Sequence, residues 1–149
     1  MAMHTWFECK IRYDKMMEDG MQKKITELYV VDALSFTEAE SSIIDEMSAY
    51  ISGEFEVRDI KKAPYGEIFF SEDASADRFF KAKLQFITID EKTEKEKRSN
   101  VNYLVHANTF NQAVANIDKV MGTTAIDYVI ASVAETQIMD VFEDNSAAK

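Results

Sequence analysis

Two stretches of the chain share one pattern of hydrophobic and polar positions. Residues 29–40 and 103–114 each run a short apolar strand into an amphipathic helix. Ahead of them, residues 6–13 and 79–86 alternate between apolar and polar positions, at nearly the same offset. A nearly fixed spacing across several elements indicates an internal duplication. Two copies are too few for a solenoid, so we predict a single domain that contains two related halves.

The two halves span residues 5–70 and 78–142, and residues 71–77 (SEDASAD) form the one linker-like segment between them. Each half has the order strand–strand–helix–strand. The alternation predicts strands with one face on a core. The spacings Ser35-x-x-Glu38 and Thr109-x-x-Gln112 are capping boxes that predict where the helices begin.

These elements predict an α+β fold of about six main antiparallel strands with two helices. Residues 66–70 and 138–142 read as short apolar continuations of the third strand of each half. The pattern leaves open whether the halves form one continuous sheet or two packed sheets. On the return strand of the first hairpin both faces are fairly apolar, so we expect the second face of the sheet to be partly covered.

Composition and charge narrow the class of protein. The chain has 149 residues, of which 46% are hydrophobic, which is enough for a real core. No apolar run approaches the ~20 residues of a membrane helix, and the N-terminus lacks a signal-peptide pattern. The single cysteine, Cys9, excludes an intramolecular disulfide. We therefore expect a cytoplasmic protein that does not enter a membrane.

The formal net charge is −10, which weighs against a generic binder of nucleic acids or membrane surfaces. A locally basic face is compatible with that balance. If the protein binds nucleic acid, we therefore expect the site on a locally basic face of the sheet.

Catalytic motifs are missing from the sequence. No phosphate-binding glycine motif and no zinc-protease motif is present, and the chain has four glycines. His106 aligns with Asp32 across the two halves, and such a pair could act as an acid–base couple. The more ordinary interpretation is two polar residues at strand ends. We predict no catalytic residues, no metal site and no cofactor, and hence a protein that is not an enzyme.

One pattern suggests nucleic-acid binding. The first strands of the two halves place aromatic and basic residues on the face away from the core, and basic pairs begin the return strands. Binders of single-stranded nucleic acid stack bases on exposed aromatic rings while cations follow the phosphates. Lysines on a solvated sheet face can equally serve to prevent aggregation. The candidate site residues are Trp6, Lys10, Arg12, Lys23, Lys24, Phe79, Lys81, Lys83, Lys97 and Arg98.

A second pattern suggests a protein partner. Met16, Met17 and Met21 cluster in the loop of the first hairpin. Exposed methionines are adaptable contact residues, so this loop and the second sheet face could serve an adaptor or a homo-oligomer. A loosely packed hairpin tip is the simpler interpretation.

Four segments together resemble a known family. They are WFECKIRYDK (6–15), YVVDALSFTEAE (29–40), ISGEFEVRDIKKAPYGEIFF (51–70) and IASVAETQIMDVF (130–142). The chain is similar over about residues 5–142 to uncharacterised domain-of-unknown-function family 4494, whose members are short proteins of Bacteroidota and of their phages and mobile elements. The resemblance implies a cytoplasmic bacterial or phage-encoded protein, with no catalytic residue or cofactor to carry over. By association it also favours an accessory role in DNA metabolism.

Taken together, the sequence favours a binding protein associated with single-stranded DNA. A protein–protein adaptor or homo-oligomeric module without nucleic-acid binding is the alternative.

Overall fold

The computed structural model describes residues 5–143. Residues 1–4, on which the absence of a signal peptide partly rests, lie outside the described residues, as do residues 144–149. The described residues form eight strands and two helices, which confirms the α+β class. In chain order these are β1 Trp6–Met16, β2 Gln22–Asp32, α1 Phe36–Tyr50, β3 Phe55–Lys62, β4 Glu67–Phe69, β5 Arg78–Ile89, β6 Glu96–Ala107, α2 Phe110–Met121, β7 Asp127–Glu135 and β8 Ile138–Phe142.

The chain divides into two compact units. The first unit contains residues 5–63 and 137–143, and the second contains residues 64–136. Each unit has its own four-stranded sheet, in the orders β3–β1–β2–β8 and β4–β6–β5–β7. The strands therefore form two separate sheets and not one continuous sheet, an alternative that the sequence pattern left open.

The short strands β4 and β8 differ from the prediction. They are not continuations of the preceding strand: β4 pairs parallel with β6 in the second unit, and β8 pairs parallel with β2 in the first. Both sheets are therefore mixed, with eight strands in place of six antiparallel ones. For the same reason the units divide at Ala63 and Thr136, whereas the sequence placed the joint at 71–77.

The two units have matching pairings, as a duplication predicts. The central strand of each sheet pairs antiparallel with its hairpin partner and with the strand that follows the helix. The register of the second pairing shifts between Lys10 and Ile11 in the first unit and between Lys83 and Leu84 in the second. These two positions correspond in the sequence alignment of the halves. The shared irregularity extends the resemblance from the sequence to the backbone.

Both helices begin where the capping boxes predict. The Ser35 hydroxyl accepts a hydrogen bond from the Glu38 backbone N–H at 3.1 Å, and Thr109 does the same for Gln112 at 3.1 Å. Each hydroxyl satisfies one of the backbone donors that a helix start leaves without an intrahelical partner. Neither helix is long and apolar enough to cross a membrane, among the residues that the structure describes.

Each helix buries one apolar stripe on one face of its own sheet. In the first unit the buried cluster includes Ala39, Ile43 and Met47 from α1, with Phe7 and Ile11 from β1. The corresponding cluster of the second unit contains Ala113, Ile117, Met121, Phe80, Ala82 and Leu84. The helix residues four positions apart therefore pack against strand residues two positions apart. This packing decides which strand residues face the core and which face the other side.

A neighbouring pair of isoleucines tests this packing. Ile43 is fully buried, whereas Ile44 is 39% exposed. We expect Ile43→Ala to lower the free energy of unfolding by about 2–5 kcal/mol, because it removes buried methyl groups and leaves a cavity. The matched control Ile44→Ala should change it by about 0.5 kcal/mol or less. Urea unfolding measures both values, and equal losses would contradict the placement of α1.

Candidate nucleic-acid interface

Trp6 and Phe79 do not form the exposed stacking platform that the sequence suggested. Each side chain is only 3% exposed, and the ring of Phe79 stacks on that of His106 with centroids 4.9 Å apart. Strand alternation correctly places both rings on the face away from the helix, but it carries no information about whether that face is covered. The prediction of exposed aromatics was therefore wrong, and the basic residues must be judged without them.

On the first sheet, the basic residues of this face stand opposite carboxylates. Lys10 pairs in register with Asp59, and Arg12 pairs with Glu56. The Arg58 guanidinium lies 3.1 Å from the Glu56 carboxylate, and Lys61 lies 4.0 Å from Glu8. Opposite charges on neighbouring strands attract each other and reduce the net potential of the face. This sheet therefore offers little excess positive charge.

A groove of about 690 Å³ opens on the same face and adds a residue that the sequence analysis missed. Lys10, Arg12 and Arg58 line it together with Leu28 and Met139. Arg58 lies at the register shift of β3, between Val57, which pairs with Ile11, and Asp59, which pairs with Lys10. The two-residue alternation of β3 is interrupted there. The Arg58 guanidinium already donates a hydrogen bond to the Glu56 carboxylate.

Two basic residues of the second sheet stand in uncharged surroundings. Lys81 pairs with Leu104 on one side and Ala134 on the other, and Lys83 pairs with Asn102 and Ser132. Both lysines are exposed. No carboxylate stands directly opposite either lysine on the adjacent strands. We refer to this surface as the Lys81 face, which comprises Lys81, Lys83, Gln85, Arg98, Asn100 and Asn102.

Side-chain amides continue the Lys81 face toward the hairpin end. Gln85 donates through Nε2 to the Asn100 Oδ1 at 3.2 Å, and Arg98 donates through Nη1 to the Gln85 Oε1 at 3.3 Å. The Nε–H of Arg98 also donates to Glu96 at 3.0 Å. The face therefore presents cations beside groups that both donate and accept hydrogen bonds. Such a surface has the chemistry needed to contact phosphates and sugars.

The basic pairs at the starts of the return strands do not act together. Lys24 stands opposite Asp14, whereas Lys23 stands opposite Lys15. Likewise Arg98 lies opposite Ile87, whereas Lys97 lies opposite Thr88. Successive side chains of a strand point to opposite faces, so one member of each pair is directed away from the candidate surface. Lys23 and Lys97 therefore point to the helix side of their sheets, and only Lys24 and Arg98 share the face of the other candidate residues.

His106 has a structural role in the second unit. Its Nδ1 accepts a hydrogen bond from the Ser71 backbone N–H at 3.2 Å, so the neutral ring carries its proton on Nε2. That nitrogen donates to the Ala76 carbonyl oxygen at 2.9 Å. One imidazole thus holds both ends of the 71–76 segment, and both of its nitrogens are engaged. The segment that read as a linker is a loop fixed by side chains.

Asp73 ties the same loop to the start of α2. Its carboxylate accepts from Gln112 Nε2 at 2.9 Å and from the Ser75 hydroxyl at 2.7 Å. These hydrogen bonds, that of Gln112 first, lower the pKa of Asp73 below its usual value of 3.8. Because folding favours the ionised form, the contribution of Asp73 to stability is present above pH 3.8 and is lost as the pH falls below that value. The hydrogen bonds of Asp73 therefore hold the loop against α2, and the lowered pKa does not indicate an acid catalyst.

Cys9 lies in the core of the first unit and is fully buried. Burial, and then the nearby charge of Glu8, raises the pKa of its thiol from 9.0 to about 12. A nucleophile or metal ligand needs the thiolate, which this environment disfavours. Within residues 5–143, no three histidine, cysteine, aspartate or glutamate side chains come together as a metal site.

Comparison with protein families identifies a family for this chain. The model of a domain of unknown function, DUF4494, matches residues 5–144 and thus nearly the whole chain. The chain belongs to the DUF4494 family. A search of curated proteins and a search of solved structures each returned no match. The family match bears out the resemblance seen in the sequence, whereas an origin in Bacteroidota or their phages stays a prediction.

The burial of Cys9 in this DUF4494 protein predicts an unreactive thiol. At pH 8 we expect no reaction with Ellman's reagent in the folded protein and one thiol per chain after unfolding in guanidinium. The pKa shift also implies that the contribution of Cys9 to stability is constant below pH 9 and falls as the pH rises toward 12, since only the unfolded chain then releases the thiol proton. Rapid labelling of the folded protein would contradict the buried position.

Proposed function

We propose that this protein is a non-catalytic, cytoplasmic binding protein whose Lys81 face contacts the backbone of single-stranded nucleic acid. An accessory role in DNA metabolism is consistent with that activity. The observation that carries the proposal is the difference between two equivalent surfaces. Lys81 and Lys83 stand among uncharged residues, whereas Lys10 and Arg12, the basic residues on the same face of the corresponding strand, face Asp59 and Glu56.

The proposed mode of binding relies on phosphates more than on bases. Lys81 and Lys83 supply two positive charges that no carboxylate on the adjacent strands faces, and Asn100 and Asn102 supply amide groups beside them. Arg98 is already paired with Glu96 at 3.0 Å and adds little net charge. Because Trp6 and Phe79 are buried, bases have no ring from these residues to stack on. Affinity should therefore be modest, independent of sequence and strongly dependent on salt. The net charge of −10 adds a general repulsion that salt also screens.

Fluorescence anisotropy with a labelled single-stranded oligonucleotide tests this proposal. Two phosphate contacts, from Lys81 and Lys83, predict a slope of about −1.4 for the logarithm of the binding constant against that of salt, at about −0.7 per contact. The double variant Lys81→Gln/Lys83→Gln should bind much more weakly, with a slope near zero, because both contacts are removed.

Two basic residues on the corresponding strand of the first unit provide a control matched in charge. Lys10→Gln/Arg12→Gln removes the same two charges from the whole protein, yet it should leave affinity nearly unchanged. Equal losses in the two double variants would show that net charge alone governs binding. That result, or no binding by the unmodified protein at low salt, would contradict the proposed interface.

Self-association through the first hairpin is a second candidate function, supported by the exposure of its methionines. Met16 is 61% exposed and Met21 is 68% exposed. The turn that carries them is well defined, since the Met17 N–H donates to the Met21 carbonyl at 2.8 Å and Gly20 adopts a positive φ of 83°. A fixed turn presents these flexible apolar side chains at low entropic cost. The second hairpin, by contrast, has a charged tip.

Analytical ultracentrifugation over a range of concentrations tests the second candidate. We expect an apparent mass that rises above 17.0 kDa with concentration, and Met16→Gln/Met21→Gln should restore the monomer because it replaces the apolar contact. Ile89→Gln is the control, since Ile89 is 69% exposed near the other hairpin tip. A constant monomer mass, or the same effect from the control, would argue against this tip.

A further inference from the structure

Strand β7 forms one edge of the second sheet and pairs only with β5. Its counterpart β3 is likewise an edge of the first sheet. The outer side of an edge strand presents backbone N–H and C=O groups that another strand can pair with. Proteins usually protect such edges with charged side chains, proline or irregular backbone. The two equivalent edges, β3 and β7, can be compared by the protection that each carries.

The two edges differ in their charged residues. β3 carries five charges in eight residues, which are Glu56, Arg58, Asp59, Lys61 and Lys62. In β7, residues 128–134 (YVIASVA) carry none, and charges stand only at the ends, Asp127 and Glu135. Both strands have the same register shift toward their neighbour, so that irregularity does not distinguish them. The β7 edge is therefore the less protected of the two.

The side chains of β7 also leave its backbone accessible. Ala131, Ser132 and Ala134 are small and exposed. The other edges are shorter, since β4 has three residues and β8 has five. An added strand needs a run of several free backbone groups to gain affinity from hydrogen bonds. Among the edges of the described residues, β7 offers the longest uncharged run.

The surroundings of β7 indicate which strand would fit. Ser132 and Ala134 lie next to Lys83 and Lys81 on the face away from the helix. An added strand would lie about 10 Å from β5, two strand spacings away. Only the small side chains of Ser132 and Ala134 would then separate its side chains from the two ammonium groups. Carboxylates at two alternate positions of that strand would complement these charges.

The opposite face of β7 has a different character. Tyr128, Ile130 and Val133 are partly buried and pack against the core cluster of the second unit. Side chains of an added strand on this face would extend that apolar surface, so apolar residues fit there. Because successive side chains alternate between the faces, acidic and apolar residues would alternate along the strand.

We infer that the β7 edge binds an extended segment of a partner protein in which acidic and apolar residues alternate. The segment pairs with the backbone of residues 128–134, places its carboxylates beside Lys81 and Lys83, and lays its apolar residues beside Tyr128, Ile130 and Val133. Asp127 and Glu135 at the two ends disfavour further acidic residues beyond the centre. Backbone pairing supplies the affinity, and the two lysines supply the selectivity for acidic segments.

Synthetic peptides test this inference on the full chain. The probe is a fluorescein-labelled peptide with the sequence Thr-Val-Glu-Val-Glu-Val-Thr, measured by anisotropy. We expect it to bind, and we expect methylation of alternate backbone nitrogens on the pairing side to weaken binding about tenfold or more, because each methyl group removes a hydrogen-bond donor. A peptide with lysine in place of glutamate should not bind. Lys81→Gln/Lys83→Gln should weaken binding of the glutamate peptide, whereas Lys10→Gln/Arg12→Gln should not.

Three results would overturn the inference. If the glutamate peptide does not bind, the edge takes no such strand. If it binds and methylation of its backbone has no effect, attraction between charges alone explains binding. If the chain forms dimers that Ala131→Lys abolishes, while the exposed helix control Ala49→Lys does not, a second copy occupies the edge in place of a partner protein. Oligonucleotide binding is measured separately, so failure here leaves the proposed function standing.

Discussion

Burial of one apolar stripe from each helix on one face of its sheet is the interaction on which both units depend. Helix residues of each unit are buried against strand residues on one side of the sheet, including Ile43 and Met47 in the first unit and Ile117 and Met121 in the second. Once that face is committed to the core, strand alternation sends every other residue to the opposite face. The positions of Lys81 and Lys83 are thus consequences of core packing rather than separate features of the surface.

The two units combine similar backbones with different surfaces. The strand order, the hairpin pairing and the site of the register shift correspond between them. The charges do not correspond: carboxylates on β3 neutralise one face, whereas β7 leaves the equivalent face and its own edge uncharged. Packing constrains the buried positions of both units in the same way, but exposed strand positions contribute little to stability and are free to differ. Functional differences between the units are therefore expected on the second faces and at the edges.

Local rules predicted the hairpins, both capped helices and the core faces of β1 and β5, because capping and alternation depend on neighbouring residues. They failed where the partner lies far along the chain. β4 and β8 have three and five residues, too few for a pattern to identify the strand they pair with. Alternation placed Trp6 and Phe79 on the correct face but could not show that both are buried. The loop contacts of His106 depend on Ser71 and Ala76, at least 30 positions away, and no local signal indicates them.

We propose that unbalanced charge on the second sheet, and not the charge of the whole chain, creates the binding face. Amide NMR shifts recorded during titration with a single-stranded oligonucleotide at low salt test this proposal. We expect shifts that concentrate on β5 and β6 around Lys81, Lys83 and Asn102, with little change around Lys10 and Arg12. Shifts of equal size on both sheets, or shifts confined to the first sheet, would contradict it.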